Sequence, residues 1–167
     1  MNEKNNVEDN KLKTNPFSLG ESWGEVLKKL NLLYYAVFLD AVLMAVVGYF
    51  FAKYGIKVSY DSALGIALSS ASFLLLLISL PLILKWFSKK TKEIAVIENE
   101  TEKIIQYKKT ALIRLCVVGV NFSLNILLFY LVESNSFSFL FAAGIAAVVL
   151  YICTPTETKM KNDLTSP

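Results

Sequence analysis

Four runs of apolar residues, each about 17 to 23 residues long, dominate the sequence and constrain what it can fold into. Each run carries at most one charged residue, although charged residues make up 19% of the whole chain and hydrophobic residues 54%. A soluble helix keeps one polar face toward water, whereas an apolar stretch of roughly 20 residues matches the thickness of a bilayer core. The pattern predicts an integral membrane protein.

The runs predict an all-α membrane protein built as a bundle of four transmembrane helices. The predicted spans are residues 30–52, 63–84, 111–132 and 137–153. They lie within a transmembrane domain that covers residues 22–155. Residues 1–21 are polar and predict a disordered cytoplasmic tail, and residues 156–167 form a second polar tail. We expect no cleavable signal peptide, because the first apolar run is too long for the core of one.

Local signals indicate how the helices begin and how the second and third spans are joined. Ser22, Trp23, Gly24 and Glu25 have the spacing of a capping box, which predicts a helix start near Trp23. Residues 85–110 are polar but contain no Gly or Pro, and isoleucines and a valine recur there at roughly helical spacing. We therefore expect a helical cytoplasmic extension between helices 2 and 3, with its turn near Asn99.

The distribution of Lys and Arg predicts the orientation, because basic residues resist translocation across the membrane. The amino-terminal segment has five, the polar stretch after the second span together with Arg114 has eight, and the carboxyl tail has two. The loop after the first span has two and the link before the last span has none. With four spans, both termini are therefore expected on the cytoplasmic side.

Asp40 is the only charged residue of the first run and lies about ten positions into it, near the predicted bilayer midplane. A central Asp costs about 2.5 to 3.5 kcal/mol on insertion scales. We therefore expect Asp40 to face a protein partner or a water-filled cavity, and not lipid.

Three polar residues of the third run share one helical face. Arg114, Asn121 and Asn125 are separated by seven and four residues. The first and third spans run in the same direction, so Asn121 lies at the depth of Asp40, and we predict a hydrogen bond between them. Arg114 lies about 10 Å nearer the cytoplasm, and we expect its guanidinium to extend toward the lipid phosphates.

These four residues form a candidate intramembrane polar site with two interpretations. In one, Asp40 together with Asn121 binds a proton or a cation. In the other, the polar pair stabilises helix packing. The sequence leaves both open, and we favour packing.

The sequence shows no apparatus for catalysis. It contains no His, the commonest zinc ligand and the usual proton shuttle at neutral pH. It also lacks a phosphate-cradling Gly-rich loop, a Cys-x-x-Cys pair and a Ser nucleophile elbow. We expect a protein that is not an enzyme, with no catalytic residues and no cofactor or metal site.

The chain resembles a loose group of small uncharacterised bacterial inner-membrane proteins with four helices. The similarity covers about residues 103–164 and, more weakly, 16–45. Its carrying features are Ala111-Leu112-Ile113-Arg114, Asn125, and Pro155-Thr156 followed by Lys161-Asn162-Asp163-Leu164. The resemblance implies a four-helix topology and a bacterial inner membrane, and it implies no activity.

Two function hypotheses follow. The leading one is a noncatalytic structural, accessory or assembly component of the inner membrane. The alternative is a small oligomeric transporter or channel that uses Asp40, Asn121 and Asn125 as a cation or proton site. The expected partners are membrane lipids and a second copy or another membrane protein, with no nucleic acid.

Overall fold

A computed structural model describes residues 22–133 and 136–165 of the chain. The predicted tail at residues 1–21 lies outside the described residues. Within the described part the chain is mostly helical. Its elements are α1 (Trp23–Lys53), β1 (Val58–Ser59), α2 (Ala63–Ala95), α3 (Glu100–Leu131), β2 (Val132–Glu133), α4 (Ser136–Ile152) and α5 (Glu157–Thr165).

Side chains that cap the helices explain where the long helices begin. The predicted capping box at Ser22 is confirmed, since its hydroxyl accepts from the Glu25 amide while the Glu25 carboxylate accepts from the Ser22 amide. Asn99 caps α3 by accepting from two backbone amides. The predicted helical extension is also observed, because α2 continues to Ala95 and α3 begins at Glu100.

Three helices, α1, α2 and α3, are long and apolar enough to cross a membrane. The shorter α4 is also apolar, but it meets the same length criterion only when it is joined to α5, relative to which it is bent by 78°. Pro155 lies in the break between them, as expected for a residue that disfavours helix before it. A fourth crossing by α4 stays a prediction.

The third helix is the centre of the bundle and contacts α1, α2 and α4. In its most apolar stretch 39% of the residues are buried, against 22% in α1 and in α2. Two glycines allow α1 and α3 to approach closely. A Cβ atom on Gly119 would lie 2.9 Å from a methyl carbon of Val37, and one on Gly48 would lie 2.9 Å from the Cβ of Tyr130.

Two features, the β1–β2 ladder and helix α5, were not predicted from the sequence. At one end of the bundle, β1 and β2 form a parallel ladder with Val58 opposite Val132. At the other end, the predicted polar tail contains α5, which packs Met160 into the core. We call the second end, which also carries the turn between α2 and α3, the hairpin end.

Candidate functional site

The buried amide of Asn125 links α3 to α2. Asn125 is fully buried. Its Oδ1 accepts a hydrogen bond from the Ser72 hydroxyl at 2.8 Å, and its Nδ2 donates to the backbone carbonyl of Asn121 at 2.8 Å. The amide therefore has partners on both sides, one in each helix.

Asn121 makes the second link between the same two helices. Its Nδ2 donates to the Ser79 hydroxyl at 2.9 Å and to the Val117 carbonyl at 2.8 Å. Its Oδ1 is buried and has no hydrogen-bond partner among the described residues. We call the two asparagines and their serine partners the amide layer; it comprises Ser72, Ser79, Asn121 and Asn125.

Asp40 is not part of the amide layer. Its side chain is exposed on α1, and no hydrogen bond or ion pair joins it to another described residue. The predicted hydrogen bond between Asp40 and Asn121 is therefore wrong. The reason is rotational: α1 packs on α3 through Val37 and Ala41, which are buried, and consecutive helical residues point about 100° apart.

Arg114 lies in a separate place at the hairpin end. Its guanidinium carbon stands 3.6 Å from the centroid of the Phe87 ring, a cation–π geometry. The Nε atom is buried and has no hydrogen-bond partner within the described ranges. The side chain therefore packs against Phe87 of α2, away from the amide layer, and its predicted extension toward the lipid phosphates stays a prediction.

Arg114 lines a cavity of about 430 Å³ between α2, α3 and α5. We call it the Arg114 cavity, and its lining comprises Leu84, Phe87, Ser88, Thr91, Lys92, Arg114, Asn162 and Asp163. The five α2 residues follow one another at helical intervals of three and one, so they form one face of that helix.

One carboxylate opposes the two cations of this cavity. Asp163 accepts a hydrogen bond from the Tyr107 hydroxyl at 3.1 Å. Burial raises the pKa of Asp163, while the hydrogen bond from Tyr107 and the charges of Arg114 and Lys159 act in the opposite direction. Asp163 lies in α5, beyond the apolar segment of α4, so this carboxyl belongs to the hairpin end of the bundle.

The structure thus divides the four predicted site residues among three places. Asn121 and Asn125 lie together, Asp40 lies on an outer surface, and Arg114 lines a cavity with α5. The hydroxyl partners of the amides were not predicted from the sequence. A usable signal existed, because Ser72 and Ser79 are seven residues apart and so share one face of α2.

The packing of α5 on the bundle gave a weaker signal, since Met160 and Leu164 are only two apolar positions four residues apart in a polar stretch. No family model, curated protein or solved structure matches this chain.

Proposed function

We propose that this chain is an integral protein of the bacterial inner membrane and acts as a noncatalytic structural or assembly component that binds a partner membrane protein. In this proposal α4 is the fourth crossing and both termini lie in the cytoplasm. The excess of Lys and Arg at the termini and between α2 and α3 supports that orientation.

The observation that carries the proposal is the exposure of Asp40 on the outer surface of α1. Its neighbours on that side are apolar, including Leu39 and Leu43, which are 63% and 55% exposed. A carboxylate among lipid tails costs about 2.5 to 3.5 kcal/mol on insertion scales. A partner that covers this surface would remove the cost, so we assign the Asp40 side of α1 as a docking surface.

The chemistry of Asp40 defines the partner. An apolar helix surface with one central acceptor fits a transmembrane helix that carries a Lys or Arg at the same depth, because intramembrane charges are paired with one another. Interhelical contacts in a bilayer depend on packing and on such polar pairs. In a two-fold pair of this chain, two Asp40 acceptors would meet with no cation between them, so we favour a different protein.

A small oligomeric transporter or channel is the second candidate function. The buried Oδ1 of Asn121, which lacks a partner among the described residues, is the observation that favours it. Against it stands the remainder of the amide layer, whose other side-chain amide atoms and serine hydroxyls are bonded within the bundle. Asp40 is also separated from both asparagines, so the three residues do not converge.

Site-specific photocrosslinking in native membranes tests the docking surface. A photoreactive residue at Leu43, three positions from Asp40, is compared with one at Ile78 of α2, because both side chains are 55% exposed. We expect a discrete adduct from position 43, lost in Asp40→Leu and weakened in Asp40→Asn, which keeps an acceptor but removes the charge that pairs with the partner's cation. Equal labelling at both positions, or an adduct that survives Asp40→Leu, would refute the proposal.

The same experiment separates the remaining alternatives. An adduct with twice the mass of the chain would identify a second copy and contradict a different partner. Proton or cation flux through proteoliposomes that contain only this protein, with flux lost in Asp40→Asn, would favour the transporter.

A further inference from the structure

The Arg114 cavity contains a cation whose hydrogen-bonding capacity is not used by the described protein. Arg114 forms no ion pair with a described carboxylate, and its Nε is buried without a partner there. An arginine donor removed from water normally has a bonding partner, because an unsatisfied buried donor at a charged group costs free energy. The guanidinium of Arg114 therefore keeps hydrogen-bonding capacity that no described group uses.

The position of the guanidinium fits a ligand in the cavity. The Phe87 ring lies against the guanidinium, whose carbon is 3.6 Å from the ring centroid, and no described residue accepts a hydrogen bond from the terminal N–H groups of Arg114. Arg presents these donors as a planar fork that matches phosphate oxygens. Phe87 makes an edge-to-face contact with Tyr107, with ring centroids 6.2 Å apart. Both rings are buried in the core, so the aromatic partner of Arg114 is fixed in place.

The lining of the cavity changes from apolar to polar along α2. Leu84 and Phe87 come first, and Ser88, Thr91 and Lys92 follow toward the hairpin end. A membrane lipid has the same gradient, from its chains and glycerol to its phosphate. Basic pockets between transmembrane helices on the cytoplasmic side are known to hold acidic headgroups.

We propose that the Arg114 cavity binds the phosphate group of an anionic membrane lipid, with Arg114 as the forked donor and Lys92 as a second cation. Ser88 and Asn162 line the same cavity and supply neutral polar groups. Asp163 is the opposing charge, so it limits the affinity and selects against ligands with more negative charge than one phosphodiester. This proposal is independent of the docking surface at Asp40.

Thermal unfolding of the purified full-length chain in neutral detergent tests the site. Phosphatidylglycerol is titrated against phosphatidylcholine with the same acyl chains, and the midpoint shift gives the affinity. We expect the wild type to be stabilised by phosphatidylglycerol at concentrations where phosphatidylcholine has little effect. Wild-type protein that shows no preference between the two lipids would overturn the proposal without any variant.

Variants then assign the preference to this cavity. Arg114→Gln should lower the affinity for phosphatidylglycerol by roughly tenfold or more, the equivalent of one charge-assisted hydrogen bond. Arg114→Lys retains the charge but lacks the planar fork of donors, so the affinity of this variant for phosphatidylglycerol should lie between those of the wild type and Arg114→Gln. Lys89→Gln is the matched control, because Lys89 is exposed on α2 and does not line the cavity. An equal loss of affinity in Lys89→Gln would mean that nonspecific surface charge binds phosphatidylglycerol.

Asp163→Asn is expected to raise the affinity, a result that a misfolded variant would not give. The amide keeps an oxygen for the Tyr107 hydroxyl but removes the opposing charge, so affinity for phosphatidylglycerol should rise a few-fold, and a fall would contradict the assigned geometry. Inorganic phosphate is titrated in parallel. If it binds the wild type through Arg114 while phosphatidylglycerol shows no preference, the lipid assignment is overturned and the ligand is a soluble phosphate.

Discussion

The hydrogen bond between Ser72 and Asn125 should couple α2 to α3 energetically. The two groups are buried, at 3% and 0% exposure, and the bond is 2.8 Å long. Ser72→Ala leaves Asn125 Oδ1 without its partner and Asn125→Ala leaves the Ser72 hydroxyl alone, so each change should cost about 1 to 3 kcal/mol. The double variant should cost less than their sum.

The expected coupling energy is about 0.6 kcal/mol and at most about 1.7 kcal/mol, the range found for hydrogen bonds between membrane helices. Reversible unfolding in mixed micelles measures the free energy of unfolding for the four members of the cycle. Ser69→Ala is the matched control, because the Ser69 hydroxyl donates to the Gly65 carbonyl of its own helix at 2.8 Å. Its coupling to Asn125→Ala should be near zero.

A coupling energy of zero between Ser72 and Asn125, with both single variants destabilised, would refute this description. It would mean that the amide exchanges its partner for water. A hydrated amide is what the transporter hypothesis requires, so this measurement also bears on the choice between the two functions.

Two further predictions concern the packing of α1 and α5. Gly119→Ala should destabilise the fold by about 1 to 3 kcal/mol through overpacking against Val37. Gly144→Ala is the control and should be neutral or slightly stabilising, because its added Cβ has no neighbour within 4 Å. Equal changes in the free energy of unfolding in micelles would contradict the close approach of α1 to Gly119. Because burial raises the pKa of Asp163 above its ordinary value of 3.8, its contribution to the packing of α5 is fully present below that value and is lost as pH rises through the raised pKa. The fluorescence of Trp23, which shares a cavity with α5, should report this change in a variant with Trp23 as the single tryptophan, and pH dependence that survives Asp163→Asn would contradict it.

The sequence alone determined the features that depend on neighbouring residues. The capping box at Ser22 and the turn near Asn99 were both predicted, because such features are made between residues two or three positions apart; that Asn99 also caps α3 was not predicted. The long apolar helices and the helical continuation through residues 85–95 and 100–110 were predicted for the same reason. Depth along a helix could also be read directly, since each residue adds a fixed rise.

Only the tertiary structure decided which way the side chains face. Asp40 and Asn121 were correctly expected in helices α1 and α3, but their hydrogen bond required a rotation of each helix that no local signal sets. Packing of Val37 against Gly119 fixes that rotation, and it leaves Asp40 outside while Asn121 meets Ser79. The docking of α5 and the ladder between β1 and β2 likewise join residues more than 50 positions apart. Such contacts depend on how whole helices pack, and the spacing of residues within one helix shows which of them share a face but not which neighbour that face meets.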